Sequence, residues 1–100
     1  MNKILIIDDD EQLSKSFAKI LAQEGYATEQ ALSGEDGLQR IRSKRPNLVV
    51  LDVRLPGMSG IRTLERIHEH DPKLPVIICT AYGTTETAIE AIKIGAFDYI

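Results

Sequence analysis

The 100-residue sequence predicts an α/β domain in which helices cover both faces of a parallel sheet. Short β-rich stretches alternate with segments of helical periodicity at intervals of about twenty residues. Several of the stretches are nearly uninterrupted apolar runs, as expected for strands buried on both faces. We therefore expect one doubly wound domain over residues 1–100, with its functional groups at the carboxyl ends of the strands.

Five strands are predicted from the apolar and β-branched stretches. They lie at Lys3 to Ile7, Tyr26 to Ala31, Leu48 to Leu51, Pro75 to Cys79 and Phe97 to Ile100. The second stretch is the most polar of the five, which is typical of an edge strand. The sequence therefore predicts a sheet with its second strand at one edge.

Four helices are predicted between these strands. The first has an apolar stripe at Leu13, Phe17, Ile20 and Leu21, with Gly25 placed to end it in a left-handed turn. Ser33 caps the second, with Asp36 three residues on and with Leu38 and Ile41 inward. Ser59 opens the third, which carries Ile61, Leu64 and Ile67 inward and ends at Asp71-Pro72. Thr84 or Thr85 opens the fourth, with Ala88, Ile89 and Ile92 inward and Gly95 after it.

Composition favours a cytoplasmic domain. The net charge is −3 and no block rich in lysine and arginine is present, so direct nucleic-acid binding is not expected. The longest apolar runs are too short to cross a bilayer. The single cysteine, Cys79, lies in an apolar strand and is interpreted as a core residue. The basic residues Arg40, Arg42, Lys44 and Arg45 are interpreted as an exposed helix end that favours cations.

Acidic residues follow two of the central strands. Asp8, Asp9 and Asp10 end the first strand, Asp52 ends the third, and Thr80 ends the fourth. Carboxylates from adjacent strands can surround one divalent cation, which removes their mutual repulsion. Oxygen ligands without histidine or cysteine favour Mg²⁺. Asp10 is equally well placed to cap the first helix.

Three segments together resemble the receiver domain of two-component response regulators. They are KILIIDDDE at 3–11, LVVLDVRLPGMSG at 48–60 and VIICTAYG at 76–83, and the resemblance extends over the whole chain. It implies a flavodoxin-like sheet of order 2-1-3-4-5 and a domain that catalyses only its own phosphorylation and dephosphorylation. Residues 80–100 are similar to receivers of nitrogen-regulation-type transcription activators, whose ATPase and DNA-binding output domains lie outside this chain.

The resemblance also implies roles for individual residues. Asp52 is the phosphoacceptor, and its donor is a sensor histidine kinase. Asp8 and Asp9 hold Mg²⁺ together with Asp52, and the main-chain carbonyl of Arg54 completes the metal site. Leu55-Pro56-Gly57 forms the loop after the phosphoacceptor. Two switch residues respond to the phosphoryl group: the Thr80 hydroxyl reaches toward it, and Tyr99 changes position with it.

Two other functions fit part of the pattern. In a phosphohydrolase of the haloacid dehalogenase type, Asp8 would be the nucleophile and Asp10 the second acid, but Gln12 takes the place of the usual threonine or valine. A flavin-binding domain would need a first loop able to cradle a phosphate, and this loop lacks the Ser/Thr/Gly run for it. The residue that carries a phosphoryl group distinguishes the three: Asp52, Asp8 or neither.

The family has a lysine-proline pair just beyond the fifth strand, and one more helix after it. The sequence ends at Ile100, so we expect a receiver without that lysine and helix. The uncovered apolar surface around strand five is then expected to drive self-association, such as a homodimer.

Overall fold

The computed structural model describes residues 2–52, 55 and 57–78, and the backbone of residues 98–99. In chain order the strands are β1 (Lys3–Ile7), β2 (Ala27–Ala31), β3 (Leu48–Leu51), β4 (Val76–Ile78) and β5 (Asp98–Tyr99). The helices are α1 (Glu11–Gln23), α2 (Gly34–Ser43) and α3 (Gly60–His70). No helix in these described ranges is both long and apolar enough to cross a membrane.

The strands form a parallel sheet in the order β2-β1-β3-β4, and the two-residue β5 pairs in parallel with β4. Ile7, the last residue of β1, lies between Ala31 of β2 and Leu51 of β3 in the register. The polar β2 occupies the edge, as the sequence predicts. The carboxyl ends of β1 and β3 are therefore neighbours at the centre of the sheet.

The described helices cover both faces of the sheet. On one face α2 and α3 pack on a buried cluster that includes Leu5, Ile7, Val49, Leu51 and Ile78. On the other face Ala18 of α1 packs with Ile4, Ile6 and Val50, and Phe17 and Leu21 lie against them. Successive side chains of β1 point to opposite faces of the sheet, which explains why adjacent residues belong to different clusters. The prediction of a sheet with helices on both faces is confirmed.

The predicted apolar stripe of α1 is wrong in two of its four positions. Leu13 is 57% exposed and Ile20 is 61% exposed, whereas Ser14 and Ala18 are buried. At about 100° per residue, Ser14, Ala18 and Leu21 share one face with Phe17 at its side. Leu13 and Ile20 lie roughly a third of a turn away from the centre of that face. Small residues at the centre let the helix lie close to the sheet.

The predicted caps of α2 and α3 are confirmed. The Ser33 hydroxyl accepts a hydrogen bond from the Asp36 amide at 3.1 Å, and the Ser59 hydroxyl accepts one from the Arg62 amide at 3.2 Å. The predicted inward residues Leu38, Ile41, Leu64 and Ile67 are buried, and Ile61 is partly buried. Gly25 has φ +93° after α1, as the left-handed turn requires. The predicted fourth helix and Cys79 lie outside the described residues.

The predicted basic cluster at the end of α2 is mostly exposed, and two of its residues, Arg40 and Arg45, also form ion pairs. Arg40 Nη1 lies 2.5 Å from Glu29 Oε1, and Arg40 Nε lies 3.2 Å from Asp36 Oδ1. Lys3 also pairs with Glu29, and Arg45 pairs with Asp71. Sequence spacing shows only the Asp36–Arg40 pair, because the other partners come from distant segments.

Candidate metal centre

Three carboxylates meet at the carboxyl ends of β1 and β3. Asp8, Asp9 and Asp52 each offer an oxygen, and these oxygens all lie within 4.8 Å of one another. Asp8 and Asp52 are partly buried, whereas Asp9 is exposed. The cluster predicted from the strand ends is therefore formed by residues separated by more than forty positions in the sequence.

Sheet hydrogen bonds fix the main chain of Asp8 and Asp52, the two inner carboxylate residues of the cluster. The Asp8 amide donates to the Ala31 carbonyl at 3.0 Å, and the Asp52 amide donates to the Ile7 carbonyl at 2.9 Å. These bonds continue the pairing of β1 with β2 and with β3 beyond the strand ends. Asp8 and Asp52 therefore project from a rigid sheet edge, which suits a site that must hold its ligands in fixed positions.

Asp10 serves the helix rather than the carboxylate cluster. Its Oδ1 accepts a hydrogen bond from the Leu13 amide at 3.0 Å, which makes it the N-cap of α1. The Asp10 amide in turn donates to Asp8 Oδ1 at 2.9 Å. The choice between a cap and a site ligand for Asp10 is thus settled in favour of the cap. A haloacid dehalogenase-type site would instead need Asp10 as its second acid.

The electrostatics of the cluster favour a bound cation. The pKa of Asp8 is raised to about 6, mainly by burial, and the hydrogen bond from the Asp10 amide only partly opposes this rise. The negative charge of Asp52, a hydrogen bond with it and the charge of Asp9 contribute to the same rise. The ionised form of Asp8 is therefore disfavoured in the metal-free protein. A divalent cation would stabilise that ionised form.

The donor set fits Mg²⁺. All three candidate ligands are carboxylate oxygens, the donor type that this ion prefers. An octahedral Mg²⁺ holds its ligands at about 2.1 Å, so two oxygens on one ion lie at most about 4.2 Å apart. A cluster that spans no more than 4.8 Å needs only small side-chain rotations to reach such separations.

The other predicted site residues are described only in part. Arg54 and Thr80 lie outside the described residues, and for Tyr99 only the backbone is described, in register with Ile78. In the loop after Asp52, Leu55 packs against the core and Gly57 has φ +70°. The positioning role of the Ile7 and Ala31 carbonyls was missed by sequence reasoning, because main-chain acceptors carry no residue signature.

Comparison with known proteins identifies a family for the chain. The family model described as "Response regulator receiver domain" matches residues 4–100. The regulatory protein AtoC of Escherichia coli is 38% identical over 100 residues. The nitrogen assimilation regulatory protein NtrX of Azorhizobium caulinodans is 40% identical over 99 residues. These matches cover 100% and 97% of the chain but only 22% of each relative.

A solved structure agrees with the fold. The chain superposes on the CheY-like response regulator receiver domain protein from Methanospirillum hungatei with a TM-score of 0.96 at 36% identity. The superposition covers 100% of this chain and 80% of that protein. The β2-β1-β3-β4 sheet with its flanking helices is thus an arrangement already seen by crystallography.

Proposed function

The chain belongs to the response regulator receiver family, and we propose that it is a phosphorylation-dependent switch whose phosphoacceptor is Asp52. A receiver domain is not a classical enzyme, and the chemistry is confined to its own carboxylate. The observation that carries the proposal is the convergence of Asp8, Asp9 and Asp52 within 4.8 Å. In this arrangement Asp52 directly follows β3, and the two acids that follow β1 lie beside it.

Asp52 is the nucleophile in this proposal. A carboxylate oxygen of Asp52 attacks the phosphorus of a phosphohistidine on the sensor kinase, and an aspartyl phosphate forms. The phosphorus–nitrogen bond breaks, and its electron pair returns to the imidazole of the donor. The Asp52 amide bonded to the Ile7 carbonyl holds the main chain of the nucleophile at the sheet edge during this step.

Asp8, Asp9 and Asp52 would hold Mg²⁺, with the Arg54 carbonyl as a further ligand. When bound, Mg²⁺ supplies positive charge that stabilises the negative oxygens of the transferring phosphoryl group. Asp8 would contribute as an ionised ligand, which is its prevailing form above its pKa of about 6. Asp10 keeps its capping bond and stays out of the ligand set.

Thr80 and Tyr99 would convert the covalent change into a conformational one. The Thr80 hydroxyl donates a hydrogen bond to a phosphoryl oxygen, and Tyr99 moves with it. A contact made in only one of two states shifts the population between them. In a longer protein this shift would act on an attached output domain for transcription activation, in the cytoplasm and under a sensor histidine kinase.

Phosphorylation by a small donor tests the proposal. The 100-residue chain is incubated with acetyl phosphate, with and without Mg²⁺, and its intact mass is measured. We expect the mass to rise by one phosphoryl group only when Mg²⁺ is present, and Asp52→Asn to remove the increase. Asp36→Asn, a change of the same chemistry on α2, serves as the matched control and should still be labelled. Full labelling of Asp52→Asn would reject the assignment.

A further inference from the structure

Both inner carboxylates of the site are joined to the main chain of one residue, Ile7. Asp8 follows it directly, and the Ile7 carbonyl accepts the hydrogen bond from the Asp52 amide at 2.9 Å. The Ile7 side chain is fully buried, in the cluster beneath α2 and α3. A shift of the Ile7 main chain would therefore displace Asp8, which is joined to it covalently, relative to Asp52, which is joined to it only by a hydrogen bond.

The side chain of Ile7 is held by a close approach of α2. Gly37 is the buried residue of α2 at this contact. A methyl group on Gly37 would lie 2.8 Å from Ile7 Cγ1 and still closer to its Cδ1. Carbon atoms pack at about 3.5–4.0 Å, so no side chain fits at this position unless Ile7 or α2 moves. The absence of a side chain at Gly37 thus allows α2 to reach the last residue of β1.

We propose that Gly37 is a positioning residue for the carboxylate site, because its contact with Ile7 sets the spacing of Asp8 and Asp52. This inference rests on the proposed function, in which those two carboxylates hold Mg²⁺. Packed interiors transmit displacements instead of absorbing them. A methyl group at Gly37 should therefore push Ile7 away from α2 and disturb the ligands, although Gly37 itself is not at the site.

Gly34 provides a matched control one turn earlier on the same helix. A methyl group there would lie 3.3 Å from Thr63 Cβ and closer still to its Oγ1. Thr63 belongs to α3, where its hydroxyl donates to the Ser59 carbonyl at 2.8 Å. Gly34→Ala and Gly37→Ala each add a single methyl group to the same helix. They differ in the neighbour that they press against, which is α3 for Gly34 and the strand that carries Asp8 for Gly37.

Titration calorimetry with MgCl₂ on the two variants and the wild type tests the proposal. We expect Gly37→Ala to weaken Mg²⁺ binding about tenfold, a typical effect of disturbing the support of metal ligands. Gly34→Ala should bind Mg²⁺ within about twofold of the wild type, even though its thermal stability also changes. Amide NMR spectra of the metal-free proteins should show shifted Asp8 and Asp52 signals in Gly37→Ala and unshifted ones in Gly34→Ala.

Rescue adds a second arm. Gly37→Ala combined with Ile7→Val moves one carbon across the contact at nearly constant volume and should restore Mg²⁺ affinity. If Gly37→Ala alone does not fold, Ile7→Val with and without Gly37→Ala gives the same comparison. In that comparison, weaker Mg²⁺ binding by Ile7→Val and restored binding by the double variant support the proposal. Equal affinities of these two variants would overturn it.

Two further outcomes would overturn the inference. One is wild-type Mg²⁺ affinity and unshifted Asp8 and Asp52 amides in Gly37→Ala. The other is an equal loss of affinity in Gly34→Ala, which would show that the effect comes from any distortion of α2. A wild-type chain that binds no Mg²⁺ would instead reject the proposed function on which the inference rests.

Discussion

Replacing Asp8 with asparagine should stabilise the metal-free fold at neutral pH. The native pKa of Asp8 is about 6, raised from 3.8 by burial first and then by its acidic neighbours. Folding the ionised side chain at pH 7.5 is therefore unfavourable, by roughly 3 kcal/mol if the shift counts in full. Asp8 is partly exposed, so solvent screening reduces the expected gain to about 1–2 kcal/mol. Asparagine Oδ1 can still accept the hydrogen bond from the Asp10 amide.

The pH dependence of this gain has a definite sign. The native state binds the Asp8 proton more tightly than the unfolded state, so wild-type stability falls as pH rises from 3.8 towards 6. Asp8→Asn should not show this fall in stability, because asparagine does not ionise. The stability difference between the two proteins should be largest above pH 6 and should vanish below about pH 4. Carboxyl groups that do not interact with Asp8 titrate equally in both proteins and cancel in the difference.

Urea unfolding in EDTA at pH 7.5, 5.5 and 4.0 measures this difference. With a slope near 1–1.5 kcal/mol per M, the midpoint of Asp8→Asn should exceed that of the wild type by about 1 M at pH 7.5. Glu29→Gln serves as the control of opposite sign. Hydrogen bonds from Lys3 and then Arg40 lower the pKa of Glu29, so this variant should be less stable at pH 7.5. An Asp8→Asn midpoint at or below the wild-type value at pH 7.5 would refute the electrostatic reasoning.

Three more changes have outcomes that follow from single contacts. Ser14→Ala should raise the free energy of unfolding by about 1 kcal/mol, measured by urea unfolding, because the buried Ser14 hydroxyl has no hydrogen-bond partner. A loss of stability would indicate an ordered water at that hydroxyl. Gly25→Ala should lower stability by roughly 1 kcal/mol, because φ +93° is strained for alanine, and an unchanged melting temperature would show that the turn can adjust. Millimolar MgCl₂ should raise the wild-type melting temperature by mass action and leave that of Asp9→Asn nearly unchanged; an equal rise in both proteins would exclude Asp9 as a ligand.

The sequence predicts the fold well because its signals are local. Ser33 and Ser59 are followed by helical periodicity, and the apolar runs before Asp8 and Asp52 have the length of buried strands. Parallel pairing then brings those two aspartates to one edge. The error on α1 has a physical cause, since Leu13 and Ile20 are apolar but lie off the face that Ser14 and Ala18 present to the sheet. Hydrophobic periodicity cannot show that small residues mark the closest approach.

Parts of the site could not be predicted because they depend on tertiary contacts. The partnership of Asp52 with the Ile7 carbonyl and the overlap that excludes a side chain at Gly37 join segments far apart in sequence. The pairing of Arg40 with Glu29 has the same origin. A glycine inside a helix signals only reduced propensity until the neighbouring strand is known.

The central claim is that Asp52 is the residue that carries the phosphoryl group. After treatment with acetyl phosphate and Mg²⁺, the aspartyl phosphate can be reduced with borohydride and located by peptide mass spectrometry. We predict modification of Asp52 alone, in the peptide that follows β3. Modification of Asp8, as in a haloacid dehalogenase-type hydrolase, or a fully labelled chain without modified Asp52, would contradict the assignment.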